Sequence, residues 1–219
     1  MKCSHCGEEI GRLVYFCPWC GNFLGEQKLL PFEDVKLTFL RADLSGFTKM
    51  SETMIAEDVM AFLNEVFGFF AKIIEHNKGI IYQIIGDEMV SIFGLPKGST
   101  FASHMAIFAA EEMFNKLFDC NKKEYLKNPI GLKIGVETES ASIFNVEDNL
   151  QDNLQNRLII TLGFKKSQIL QKNAENNTIL VGESLYQATK AFFEYREVGE
   201  FFEHDLSIKA YEYQLKLKT

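Results

Sequence analysis

The chain has 219 residues, with 23 Lys and Arg against 30 Asp and Glu, for a formal net charge of -7. A hydrophobic fraction of 47% and a charged fraction of 24% exclude disorder along the whole length and fit one full domain with a small appendage. The acidic balance argues against a general nucleic-acid binder, and no apolar run approaches the roughly 18 residues of a membrane span.

The N-terminus begins Met1-Lys2-Cys3-Ser4-His5-Cys6, without the apolar segment of a secretory signal, and the expected compartment is the cytoplasm. Four of the five cysteines lie in the first 20 residues, as Cys3-x2-Cys6 and Cys17-x2-Cys20. In a reducing compartment such pairs are metal ligands more often than disulfides. The spacing lets two thiolates bend around one ion while turn amides point at the sulfurs. Gly7 and Gly21 follow the second cysteine of each pair and accept the positive φ of such a knuckle. Four thiolates suit Zn²⁺ ahead of iron, with a redox pair as the alternative. The pattern resembles a zinc ribbon over residues 1–28, too short to fold without the metal. A site closed by four cysteines has no open position, so its role is structural.

Pro31 marks the exit from the ribbon, and one α+β domain follows over residues 33–216. Residues 35–42 read as a buried strand ending at Asp43. Residues 56–76 form a helix with Val59, Phe62, Leu63, Val66, Phe67, Phe70, Ile73 and Ile74 at 3.6 periodicity, stopped by Gly79. Two short strands, 80–85 and 89–93, flank Gly86-Asp87-Glu88, a hairpin signal. A second amphipathic helix spans 101–118, with Cys120 near its end, and a strand spans 130–136. The Asn-, Asp- and Gln-rich stretch 145–156 reads as a loop. A strand at 158–162, a helix at 164–172, a strand at 178–181, a helix at 183–191 and strands near 195–198 and 208–214 complete the chain.

Two acidic residues stand at strand ends, Asp43 in Arg41-Ala42-Asp43-Leu44-Ser45-Gly46-Phe47-Thr48 and Asp87 in the hairpin turn. Alone, each has a structural use: Asp43 before Ser-Gly suits an Asx turn, and Gly-Asp suits a hairpin. Should the first strand lie between the hairpin strands, both carboxylates meet at one sheet edge. Paired carboxylates repel unless a cation bridges them, and Mg²⁺ or Mn²⁺ held by one or two carboxylates with substrate phosphates is the usual resolution. The amides of residues 44–48 could cradle phosphates.

Ala42-Asp43-Leu44-Ser45-Gly46-Phe47-Thr48, with Ser51-Glu52, resembles the first metal motif of class III nucleotidyl cyclases, and Ile85-Gly86-Asp87-Glu88-Met89-Val90-Ser91-Ile92-Phe93-Gly94 resembles the second. Ile134-Gly135-Val136, Thr138 and 179–184 are similar to later landmarks, so the resemblance covers roughly residues 33–216. It implies a ferredoxin-like palm working as a head-to-tail dimer, a homodimer or a pairing with a complementary cyclase domain. It implies a two-metal site for Mg²⁺ or Mn²⁺ at Asp43, Leu44 and Asp87, with phosphates over Ser45, Gly46, Phe47 and Thr48. The reaction it implies is attack of the ribose 3′-oxygen on the α-phosphorus of ATP or, less favoured, GTP, releasing pyrophosphate.

The departures lie in the second half. The base-specifying position, a lysine in adenylyl and a glutamate in guanylyl cyclases, is Gln83. The transition-state pair, an asparagine with an arginine four residues on, is missing from the matching stretch Phe164-Lys165-Lys166-Ser167-Gln168-Ile169-Leu170. A rival alignment uses Asn153 and Arg157 but needs a deletion before them and a long insertion after. No catalytic side chain is therefore assigned. The chain reads as a metal-donating half awaiting its complement. The alternatives are an inactive pseudocyclase that binds nucleotide or a partner, and another palm enzyme such as a diguanylate cyclase, whose doubled glycine is absent because Ile85 precedes Gly86.

Overall fold

The computed structural model describes residues 2–3, 5–10, 17–21, 32–52, 54–95, 100–122, 129–145 and 157–215. The chain divides into two compact units, residues 1–32 and residues 33–219. In the first, an antiparallel bridge joins Lys2 and Glu9. The Gly7 N–H donates to the Cys3 carbonyl at 3.0 Å and the Gly21 N–H to the Cys17 carbonyl at 2.9 Å. Those two turns require φ of 78° at Gly7 and 70° at Gly21, where a side chain would be strained. Residues 22–31, with the expected end of the ribbon and Pro31, lie outside the described residues.

The second unit runs β1 (Phe32–Ser45), α1 (Phe47–Ser51), α2 (Ala56–His76), β2 (Gly79–Ile85), β3 (Glu88–Phe93), α3 (Ala102–Cys120), β4 (Gly131–Asn145), β5 (Arg157–Ile160), α4 (Gly163–Asn173), β6 (Thr178–Gly182), α5 (Glu183–Thr189), β7 (Tyr195–Glu203) and β8 (Leu206–Tyr213). The strands make one sheet in the order β2-β3-β1-β4-β6-β8-β7, with β5 paired to β4. The path β1-α2-β2-β3-α3-β4 with the order β2-β3-β1-β4 is a ferredoxin-like palm, extended by β5 to β8.

The main core lies on the sheet face covered by α2 and α3. Leu40, Ala42 and Leu44 of β1 and Leu132, Ile134 and Val136 of β4 point into it, alternating with residues on the other face. The apolar stripe of α2 meets them there through Phe62, Val66, Phe70 and Ile74. The other face is covered in part by α4, and Gly135 makes this possible. A methyl group on Gly135 would run into the Ser167 carbonyl and the Gln171 amide of α4. At the start of the same helix a methyl group on Gly163 would strike the Phe39 ring of β1.

Several sequence expectations need correction. β1 does not end at Asp43: it runs to Ser45, because Asp43 still pairs with Glu88 and the Leu44 N–H still donates to the Asp87 carbonyl at 3.1 Å. Gly46, with φ 89°, breaks it and opens the short helix α1, which the sequence did not signal. β1 does not lie between the hairpin strands: it pairs with β3 on one side and neighbours β4 on the other. The left-handed residue that stops α2 is Lys78, with φ 62°, and Gly79 is needed because a side chain there would strike Phe93 and Ile74. β4 continues nine residues beyond the expected 136 because residues 142–145 pair with β5. β7 extends to Glu203 because it pairs with β8 along nearly its whole length.

Candidate functional site

The β2–β3 hairpin turns through Gly86 and Asp87, with φ 60° at Gly86. Cross-strand register places Asp43 opposite Glu88, and Arg41 opposite Val90, which in turn stands opposite Gln83 on β2. Directly opposed residues share a face, and so do residues two apart on a strand. Asp43, Arg41, Glu88 and Gln83 therefore occupy one face, opposite the α2/α3 core. The bond between the Leu44 N–H and the Asp87 carbonyl fixes the turn against the end of β1. The charge of Asp87 thereby acts on Asp43.

The electrostatics agree with that placement. Partial burial first, and then the charges of Asp87 and Glu88, together push the Asp43 carboxyl up to about 6, against the opposing charge of Lys133 on β4. A hard divalent ion with oxygen ligands fits a half-buried carboxylate beside two others. Lys133 was not identified from the sequence. Its signal was available, since it stands two residues before Gly135 and shares the face opposite Leu132 and Ile134, but only the sheet order, which sets β4 beside β1, brings its charge to bear on Asp43.

The segment expected to meet phosphate is the turn into α1. Ser45 Oγ bonds the Asn176 side chain, and the Ser51 hydroxyl caps the Thr48 carbonyl at 2.8 Å. Ser45 and Phe47 are half-buried, and Gly46 and Thr48 are exposed. A cavity of about 380 Å³ lies near this turn, lined by Phe118, Asn121, Lys122, Ile130 and the two asparagines 176 and 177. Asn121 uses its amide on the Ile130 backbone, at 2.7 and 2.9 Å, and Asn177 accepts from the Leu132 N–H at 3.1 Å. Those groups serve as structure and not as ligand contacts.

α4 follows β5, in the position that the sequence alignment without Asn153 and Arg157 requires. It carries no arginine, and its asparagine, Asn173, is its last residue and donates to the Ile169 carbonyl of its own helix at 2.8 Å. Both of its forward lysines are engaged, Lys165 with Glu203 and Lys166 with Glu139. Asn153 lies outside the described residues, and Arg157 is described only as backbone of β5.

In the first unit the four cysteines converge, with their sulfurs all within 4.8 Å of one another. Cys3 Sγ is 3.7 Å from Cys20 Sγ, and Cys6 Sγ is 3.6 Å from Cys17 Sγ. A tetrahedron of sulfurs each about 2.3 Å from a zinc ion has edges of about 3.8 Å, so the set could hold that metal. The His5 N–H points at Cys3 Sγ at 3.4 Å. Donation from the Cys6 and then the His5 amide lowers the Cys3 thiol to about 6, which favours the thiolate.

Comparison with known proteins follows the same lines. The profile of the family described as "Adenylate and Guanylate cyclase catalytic domain" matches residues 29–144. Adenylate cyclase type 9 of Gallus gallus is 29% identical over 112 residues, 51% of this chain and 8% of that protein. Adenylate cyclase of Anabaena cylindrica is 30% identical over 84 residues, 38% of this chain and 16% of that protein. The chain therefore spans less than a fifth of these curated relatives. Among solved structures, the adenylyl cyclase CyaB from P. aeruginosa superposes with a TM-score of 0.74 at 21% identity, over 84% of this chain and 96% of that one. This likeness shows the class III cyclase fold.

Proposed function

The chain belongs to the family of adenylate and guanylate cyclase catalytic domains, and from that membership we propose that it is the metal-donating half of a dimeric site forming a 3′,5′-cyclic nucleotide and pyrophosphate, with ATP ahead of GTP. The observation that carries this reading is an asymmetry within one chain. Asp43 and Asp87 meet at the end of β1, whereas α4 lacks the asparagine–arginine pair and spends Lys165 and Lys166 on Glu203 and Glu139. The preference for ATP rests on the curated relatives, which are named adenylate cyclases. Gln83 is neither the lysine nor the glutamate of the two subclasses.

Asp43 and Asp87 supply carboxylate oxygens, and Leu44 its carbonyl oxygen, to Mg²⁺ or Mn²⁺. Two such cations, when bound, activate the ribose 3′-oxygen and stabilise charge on the departing pyrophosphate. The turn of residues 45–48 offers backbone amides to the phosphates, and Lys133 offsets the negative charge that collects there. Neither group replaces a donor aimed at the transition state, whose absence costs about 10²- to 10³-fold in rate. A complementary half supplies that donor. Exposed apolar residues support such pairing: Ile84 and Ile85 on β2 and Leu158 and Ile160 on β5. In the ribbon, Zn²⁺ held by Cys3, Cys6, Cys17 and Cys20 has a structural role.

Binding of a non-hydrolysable ATP analogue tests the first half of the proposal. We expect Mn²⁺-dependent binding that Asp43→Asn or Asp87→Asn reduces at least about tenfold, since each removes a charged ligand of the cation. Binding unaffected by either substitution overturns it.

A further inference from the structure

The metal-binding edge contains one carboxylate more than a two-aspartate site uses. Glu88 follows Asp87 in the chain and stands directly opposite Asp43 across the β1–β3 ladder. Opposed side chains in an antiparallel pair have Cβ atoms about 4.5–5.5 Å apart. Free in solution, Glu88 would be a third ligand within reach of the same cation.

It is not free. Arg41, two residues before Asp43 on the same face of β1, donates from Nη1 to Glu88 Oε1 at 2.7 Å. The side chains are only 11% and 17% exposed. The Arg41 Nε is buried without an acceptor among the described residues, and Nη1 carries the ion pair to Glu88. A pair so sheltered is not exchanged for water, because separating it leaves a charge uncompensated in the protein. The arginine thus occupies a carboxylate oxygen that would otherwise point along the face shared with Asp43.

Resting on the reading of Asp43 and Asp87 as metal ligands, we propose that the Arg41–Glu88 pair fixes the number of carboxylates at this edge, so that the site takes a divalent cation together with a nucleoside triphosphate and not as a bare ion. Affinity for a hard cation rises with the number of charged ligands. Three free carboxylates would retain the bare cation and repel the triphosphate. Two leave the remaining coordination positions to phosphate oxygens. Arg41 is in this sense a positioning residue: it acts through Glu88 and touches neither metal nor nucleotide.

The test is Mn²⁺ binding to the zinc-loaded full chain, read from the paramagnetic signal of free Mn²⁺, with and without a non-hydrolysable ATP analogue. Arg41→Met should tighten binding of Mn²⁺ alone about tenfold and weaken analogue-dependent binding by a similar factor, as a ligand charge is added. Arg41→Met/Glu88→Gln should return both values to within about twofold of the parent, and Arg41→Lys should keep them there. Glu88→Gln alone, which keeps an oxygen for Arg41, should change neither. This arm decides the matter even where Arg41→Met fails to fold. Loss of bare Mn²⁺ affinity in Glu88→Gln makes Glu88 a ligand and overturns the proposal. So does a folded Arg41→Met with parental affinities. Failure of the underlying reading looks different: Mn²⁺ binding that is absent from the parent even with the analogue, or that survives both Asp43→Asn and Asp87→Asn.

Discussion

Glu137 of β4 is almost fully buried beneath the start of α5, where its Oε1 accepts the Thr138 N–H at 2.7 Å and the Leu185 N–H at 3.4 Å. A side chain on Gly182 would collide with its Oε2. Burial raises its carboxyl from the ordinary 4.5 to about 7, more than the two amide bonds lower it. The folded state therefore binds this proton more tightly than the unfolded chain does. The stability it contributes is complete below about pH 4.5 and is lost as pH rises to 7. Glu137→Gln keeps the acceptor and removes the charge. Denaturant unfolding at pH 8 should find the variant more stable by up to about 3 kcal/mol, with the difference vanishing near pH 4. Equal curves at both pH values contradict this. The sequence held no sign of this role, since Glu137 reads as one acid among several after Gly135.

At the scale of elements, legibility followed periodicity. α2 was readable to the residue because its stripe from Val59 to Ile74 repeats at helical spacing and buries against one face of the sheet. The hairpin was readable from Gly86-Asp87, but the approach of Asp43 to Asp87 was expected from a β1 placed between the hairpin strands, whereas it comes from β1 pairing with β3 alone of the two. The second half of β4 was not readable. Glu139, Ser140 and Ser142 break the apolar run, and β5 pairs with the last four residues of the strand. The engagement of Lys165 and Lys166 was equally hidden, since their partners are 38 and 27 residues away in the chain. α4 itself depends on close approach to β4. Gly135→Ala should therefore destabilise the fold by about 3 kcal/mol or more, because the methyl meets backbone atoms that cannot rotate aside. A melting temperature within a degree of the parent would show that the helix can shift without cost. In the ribbon the four cysteines were legible from spacing alone, and their convergence agrees with that spacing. Metal analysis should find one zinc per chain, lost in Cys17→Ser. A full zinc complement in that variant contradicts the four-cysteine site.

Over the whole molecule the sheet carries two unequal ends. The end formed by β1, β3 and β4 gathers Asp43, Asp87 and Lys133, the groups proposed above to meet a cation and phosphates. The α4 end is closed by ion pairs and packs on Gly135. Among the described residues no helix is long and apolar enough to cross a membrane. Ile84, Ile85, Leu158 and Ile160 are exposed, and under the proposal above they are where a complementary half would seat. Ile160→Glu should abolish association with such a half while leaving Mn²⁺-dependent nucleotide binding within about twofold, as a charge in an apolar interface lacks a partner. Unchanged association places the interface elsewhere.

The most direct test of the central claim is a cyclase assay on the purified chain with Mn²⁺ and ATP or GTP, alone and with a complementary cyclase domain, using Asp87→Ala as the control. The half-site account predicts no cyclic nucleotide from the chain alone, and product on mixing that disappears in Asp87→Ala. Cyclic nucleotide made by the chain alone and lost in Asp87→Ala would contradict it, and would place the missing transition-state groups within this sequence.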